Sequence, residues 1–94
     1  MNPVVRKGDV CTGHGCWPSR PNVEGSDFVS IEDIPVHCVG HAWDTHCCGP
    51  ACHDSVQGSG ADYISIEDSP VARVGDDVAC GSKNATGSDF VFAE

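Results

Sequence analysis

Seven cysteines and five histidines, twelve potential metal donors, stand in a chain of only 94 residues. Cys11, His14 and Cys16 mark a first cluster, the run His46-Cys47-Cys48-Gly49-Pro50-Ala51-Cys52-His53 a second, and Cys80 stands apart further on. Imidazole nitrogen and thiolate sulfur are the donors zinc prefers, four of them in tetrahedral array at a structural site. An odd cysteine count leaves at least one thiol outside any intrachain disulfide. Spacing alone does not choose four ligands from the twelve candidates. Cys47 or Cys52 can act as a ligand or pair with Cys11, Cys16 or Cys38. His37 and His41 lie outside the dense run and read as solvated side chains. Catalysis has little footing: Asp33 and Asp68 fall in turn-like contexts rather than as a general acid and base pair, and Arg73 with Asp76 reads as structural.

The elements that must position these donors come from a repeat. Pro3-Val4-Val5-Arg6-Lys7-Gly8-Asp9, Pro35-Val36-His37-Cys38-Val39-Gly40-His41 and Pro70-Val71-Ala72-Arg73-Val74-Gly75-Asp76 are copies of one phrase. A second phrase recurs as Gly25-Ser26-Asp27-Phe28-Val29-Ser30-Ile31, Gly60-Ala61-Asp62-Tyr63-Ile64-Ser65-Ile66 and Gly87-Ser88-Asp89-Phe90-Val91-Phe92-Ala93. Copies of one supersecondary unit imply a repeated architecture, here with pseudo-threefold symmetry. The β-branched and aromatic runs 28–31, 63–66 and 90–92 predict short strands. Alternation puts Val29 with Ile31, Ile64 with Ile66 and Val91 with Ala93 on a core face, and Phe28, Tyr63 and Phe90 on the other. Glu32-Asp33 and Glu67-Asp68 then suit turns leading into Pro35 and Pro70. Glycine and proline punctuate the chain too often for a helix. The expectation is an all-β fold, one domain over residues 1–94, with repeats starting near residues 3, 35 and 70. Irregular insertions at 11–24, 42–58 and 78–86 carry the donors, and their convergence on the pseudo-threefold axis would bring the donors together. Trp17 and Trp43 are expected to pack beneath these loops.

Composition narrows the function classes. A formal charge of −9 supplies no basic stripe for a polynucleotide and no attraction to anionic lipid. No apolar run is long enough to span a membrane, and Met1 to Lys7 does not read as a secretory signal. The expectation is therefore synthesis in the cytoplasm, where clustered cysteines hold metal or stay reduced more often than they pair. The missing signal and the odd cysteine count weigh against a disulfide-rich secreted module. So small a chain still needs staples beyond its core.

Pro70-Val71-Ala72-Arg73 resembles the Pro-Ala-Ala-Arg phrase of the PAAR-repeat family, Pro3-Val4-Val5-Arg6 more loosely, and Pro35-Val36-His37-Cys38 in degraded form. Gly8-Asp9, Gly75-Asp76, Gly13-His14-Gly15, Cys80-Gly81 and the recurring Gly-Ser phrase extend the resemblance over essentially the whole chain. It implies a small conical PAAR-like β fold that caps and sharpens the trimeric β-helical spike of a contractile injection machine, one tip per trimer, for piercing a target envelope. The base would add strands to the open edges of the β-helix. The machine would be a phage tail, with a type VI secretion apparatus as the alternative, and exposed loops could carry an effector. No nucleic acid, no homo-oligomer and no catalytic residue is implied. The family pattern of three histidines and one cysteine carries over to His14, His46, His53 and Cys80 as ligands of Zn2+. A small zinc-dependent hydrolase with an open coordination position is the competing reading. The chain departs from the pattern at Cys38, where the other copies have arginine, and at His41, where they have aspartate. Cys38-x-x-His41 thus stands open as a second metal or redox feature, beside expected ion pairs or turn hydrogen bonds at Arg6 and Arg73.

Overall fold

Two consecutive residues in the left-handed region define each of two tight hairpins. Glu32 and Asp33 have φ of 57° and 64°, and Glu67 and Asp68 have φ of 52° and 67°, the pattern of a turn whose twist matches that of the strands it joins. The computed structural model describes residues 1–94 and contains strands, bridges and turns but no helix; no helix is therefore long and apolar enough to cross a membrane. The first turn joins β2 (Ser30–Ile31) to β3 (Ile34–Pro35), and the second joins β6 (Ser65–Ile66) to β7 (Ser69–Pro70). The third copy is assembled from both ends of the chain, β1 (Asn2–Pro3) pairing with β8 (Phe92–Ala93).

The phrase that begins at each proline meets its copies on an axis. Val5 N–H donates to Ala72 O at 2.9 Å, Ala72 N–H to His37 O at 3.0 Å, and His37 N–H to Val5 O at 3.0 Å, a closed ring of three backbone hydrogen bonds. All three residues have 0% exposure. Around them the bridges Val4 to Arg73, Arg6 to Val36 and Cys38 to Val71 repeat one antiparallel contact, and Lys7, Val39 and Val74 each donate N–H to the carbonyl of Pro35, Pro70 or Pro3. The pseudo-threefold symmetry legible in the repeats is thus carried by the backbone itself. Close approach explains the glycine that opens the second phrase: a Cβ on Gly60 or Gly87 would stand 2.7 Å from the carbonyl oxygen of Val71 or Val4.

Each predicted strand contracts to two residues. In the first and third copies Ser26 Oγ accepts the N–H of Phe28 and Val29, and Ser88 Oγ accepts those of Phe90 and Val91, so a side chain takes backbone donors that a ladder would otherwise use; the middle copy, with Ala61 at that position, bends in the same place without the cap. The predicted core face is also only half enclosed. Val4, Val36, Cys38, Ala61, Val71 and Ala93 form the buried cluster, with Ile31 and Ile66 partly covered against it. Val29, Ile64 and Val91 instead form the exposed rim of an open apolar concavity floored by Val4, Val36 and Val71. Phe28, Tyr63 and Phe90 point away and lie open to solvent, at 75%, 84% and 75% exposure.

The insertion at 42–58 is not irregular. It contains the longest strands, β4 (Ala42–Cys48) and β5 (Ala51–Val56), paired antiparallel with an irregular register between Trp43 and His46. Trp43 is buried as expected and donates its indole N–H to Gln57 Oε1 at 3.0 Å. His37, expected in solvent, is buried on the axis, because it occupies the position that Val5 and Ala72 fill in the other copies. Its Nδ1–H donates to Glu24 O at 2.7 Å, while Nε2 is buried without a partner. Burial is the main force that holds the His37 pKa down, to about 4.

The turns after the repeated phrase share one cap. Arg6 N–H donates to Asp9 Oδ2 and Arg73 N–H to Asp76 Oδ2, both at 2.8 Å. In the middle copy Cys38 N–H donates to His41 Nδ1 at 3.0 Å, so the imidazole replaces the carboxylate as acceptor. Arg73 and Arg6 also pair with these aspartates through Nε, at 2.9 and 3.3 Å. Cys38 sits in the core, where burial pushes its thiol up to about 11. Cys38 and His41 are accounted for by packing and turn capping.

Candidate metal centre

Three insertions deliver four donors to one place. His46 on β4 and His53 on β5 are cross-strand register partners, which sets their imidazoles side by side. His14 comes from a turn closed by reciprocal hydrogen bonds between His14 and Trp17, N–H to O at 3.0 and 2.8 Å. That turn requires glycine before it, since Gly13 has φ 75° and a Cβ there would stand 2.6 Å from Trp17 O. Cys80 comes from the last insertion, on a turn in which Gly81 N–H donates to Val78 O and Val78 N–H to Ser82 O. The ligand atoms of His14, His46, His53 and Cys80 all lie within 4.8 Å of one another.

The donor set suits a tetrahedral cation. His14 Nε2 and His53 Nε2 are 3.1 Å apart, and His46 Nε2 and His53 Nε2 are 2.7 Å apart. Two nitrogens bound to one zinc at tetrahedral angles would stand about 3.4 Å apart, so the rings need only a small relaxation to share an ion. His46 Nδ1–H donates to Pro18 O at 2.7 Å, which fixes the tautomer and turns the Nε2 lone pair toward the cluster, as a ligand's outer hydrogen bond does. Three Nε2 atoms converge on one small space, and a divalent ion there would accept a lone pair from each of them at once.

Electrostatics favours the binding forms. Burial, then His46 and Arg20, hold the His14 pKa below the usual imidazole value. His53 is lowered by burial, then by His46, His14 and Arg20, against a smaller opposing effect of Asp54. Burial raises the Cys80 thiol, but the Ser82 N–H, the Arg20 guanidinium and the Ser82 and Ser55 hydroxyls outweigh it and the net shift is downward. Neutral imidazole and thiolate are the species that coordinate metal.

Arg20, Trp17 and Pro18 complete the surroundings. Arg20 is buried; it donates from Nε to Asp44 O at 2.8 Å, from one terminal nitrogen to Cys11 Sγ at 3.1 Å and from the other to Cys80 Sγ at 3.5 Å. It lies over the Trp43 ring, 5.2 Å from the centroid. Arg20 escaped sequence reasoning, although it is the one arginine outside the repeated phrase. Trp17, expected beneath the loops, instead stacks on His14 at 5.1 Å between ring centroids and donates its indole N–H to Ala51 O at 2.9 Å.

The remaining cysteines are divided between bridges and thiols. Cys47 pairs with Cys52 across the β4–β5 hairpin, and Cys16 pairs with Cys48. Cys47 and Cys52 are therefore bridged to each other, neither in the donor cluster nor linked to Cys11, Cys16 or Cys38. Cys11 and Cys38 are free and buried, and Cys80 is free. Among known protein families, the one described as PAAR motif matches residues 8–85. No curated protein matches the chain.

Proposed function

The chain belongs to the PAAR-motif family, and on that premise we propose that it is the metal-stabilised tip of a contractile injection machine, seated on the blunt end of a trimeric β-helical spike. The observation that carries this reading is the division of the molecule into two sites that share no residue. One is the convergence of His14, His46, His53 and Cys80; the other is the open concavity rimmed by Val29, Ile64 and Val91.

Zn2+ is the ion these four side chains suit. It would tie the insertions at 11–24, 42–58 and 78–86 to one another, so that binding free energy becomes folding free energy. A hydrolytic zinc keeps a coordination position for water. Here a fourth protein donor, Cys80, stands with the three histidines, which favours a structural centre over an enzyme.

The rim fits a threefold partner because it offers three near-equivalent apolar faces, one for each chain of a trimer. Each tip then serves one trimer, with no need for a second copy of itself. In this reading the protein is assembled at the end of a phage tail, or of a type VI secretion apparatus, and meets the target envelope during puncture; its exposed loops are the place for an effector. Native mass spectrometry with a recombinant trimeric β-helical spike end tests the docking. The expected complex has one chain per trimer and is lost when Val29, Ile64 and Val91 are together replaced by aspartate. A complex that survives this triple replacement, or one with three chains per trimer, would overturn the assignment.

A further inference from the structure

The four bridged cysteines sit where they control the donors. Cys16 lies two residues beyond His14, and its partner Cys48 lies two residues beyond His46. Cys47 follows His46 directly, and its partner Cys52 directly precedes His53. All three histidines of the cluster are thus within two residues of a bridged cysteine. We propose that the two disulfides are the positioning device of the metal centre, so that thiol oxidation and metal binding are coupled: the bridged protein holds the ion more tightly, and the ion in turn favours bridging. This rests on the reading of His14, His46, His53 and Cys80 as a metal site.

The physical case is one of preorganisation. Cys47–Cys52 fixes the register of the hairpin next to both of its histidines. Cys16–Cys48, across a sequence separation of 32 residues, ties the loop carrying His14 to the strand carrying His46. Without that bridge, loop and hairpin are joined by hydrogen bonds alone, among them the exposed Trp17 indole bond to Ala51 O and, further along the loop, His46 Nδ1–H to Pro18 O and Arg20 Nε–H to Asp44 O, none of which holds His14 itself. Bridging orders the histidines before the ion arrives, so less conformational freedom is lost on binding. The alternation along β4 supports a positioning role: His46 is buried while Cys47 is exposed.

The redox step is a thiol–disulfide exchange with a small-molecule disulfide such as oxidised glutathione as the oxidant. One cysteine thiolate attacks the glutathione disulfide and releases one reduced glutathione. Its partner thiolate then attacks the protein sulfur of the mixed disulfide and releases the second. Two protein thiols and one glutathione disulfide give one protein disulfide and two reduced glutathiones, with each pair of electrons passing from protein to glutathione. Linkage requires that the factor by which bridging tightens metal binding equal the factor by which metal favours bridging.

The test measures zinc affinity by competition with a chromophoric chelator for the oxidised protein, for Cys16→Ser with Cys48→Ser, and for Cys47→Ser with Cys52→Ser. Serine removes the bridge without adding thiols that would themselves capture zinc, and each variant keeps the other crosslink to maintain the fold. The expected loss is about tenfold or more in affinity for each variant, within the usual range of coupling between sites. A second arm titrates the wild type against glutathione redox buffers at fixed low and high free zinc, with bridging read by mass after alkylation. Zinc is expected to shift the bridging equilibrium toward the disulfides, by a smaller factor than the serine variants give because the freed thiols of the reduced chain compete for the ion. Equal zinc affinity in all three proteins, or bridging indifferent to zinc, would overturn the coupling while leaving the metal site standing. Failure of every form to bind zinc would overturn the metal reading itself.

Discussion

At the scale of single residues, the least expected feature is an imidazole on the pseudo-threefold axis. Its apolar counterparts, Val5 and Ala72, share with His37 the ring of backbone hydrogen bonds, and burial holds its pKa near 4 against an unfolded value near 6.5. The unfolded chain therefore takes up a proton first as pH falls. The stabilising effect of a neutral His37 is complete above about pH 6.5 and is lost progressively down to about pH 4, a change of about 3 kcal/mol. Denaturant titrations across this window should show a steeper acid loss for the wild type than for His37→Val, and parallel slopes would refute the assignment. The burial was legible in the repeats, because aligning the copies puts His37 opposite two apolar residues. Its reading as a solvated histidine treated the residue type and ignored the register. Arg20 shows the opposite limit: nothing in its neighbourhood, Ser19 or Pro21, signals that its guanidinium reaches Cys11 and Cys80. At the proposed metal centre, His46→Ala removes a buried donor and strands the Pro18 carbonyl; loss of bound zinc together with a lower melting temperature is the expected outcome.

At the scale of elements, the hairpins owe their form to turn chemistry more than to strand propensity. Glu67 and Asp68 both sit in the left-handed region, which costs an ordinary residue about 1–2 kcal/mol. Replacing Glu67-Asp68 with Asn-Gly, the preferred pair for such a turn, relieves that strain at the cost of glycine's extra freedom in the unfolded chain and should raise stability by about 1 kcal/mol and the melting temperature by about 4–8 °C. An unchanged or lower melting temperature would contradict the turn assignment. Glu32-Asp33 is the poorer place for this test, because Glu32 also accepts from Arg6 and from Ser88 Oγ. Sequence reading located these turns and the two faces around them, since the acidic pair recurs before proline and the alternation is regular. It overestimated strand length because the chain bends at residues 27–28, 62–63 and 89–90, a bend that the Ser26 and Ser88 hydroxyls cap in two of the three copies. It missed β4 and β5 because their composition, dominated by His, Cys, Asp and Thr, lacks the apolar alternation by which strands are recognised. The cross-strand Cys47–Cys52 and His46–His53 pairs leave a near-palindromic Cys-x4-Cys flanked by histidines, and that was the available signal.

At the scale of the whole molecule, a pseudo-threefold backbone ring joins three repeats while three insertions meet at one cluster of donors. The symmetry was readable because repetition survives in the sequence. Convergence of the insertions was expected from their donor content, but the choice of donors was not legible, because His14, His46, His53 and Cys80 are dispersed along the chain and only family resemblance selected them. So small a chain has two modest buried clusters, and a central ion would supply much of the order that such cores cannot. Chelation should accordingly lower the melting temperature, with zinc restoring it in proportion to its free concentration. The most direct measurement is elemental mass spectrometry on protein purified with no added metal, paired with thermal unfolding of Cys80→Ala. About one zinc per chain is expected, with loss of the metal and of cooperative unfolding in the variant. Metal-free wild-type protein that unfolds cooperatively would contradict the central claim.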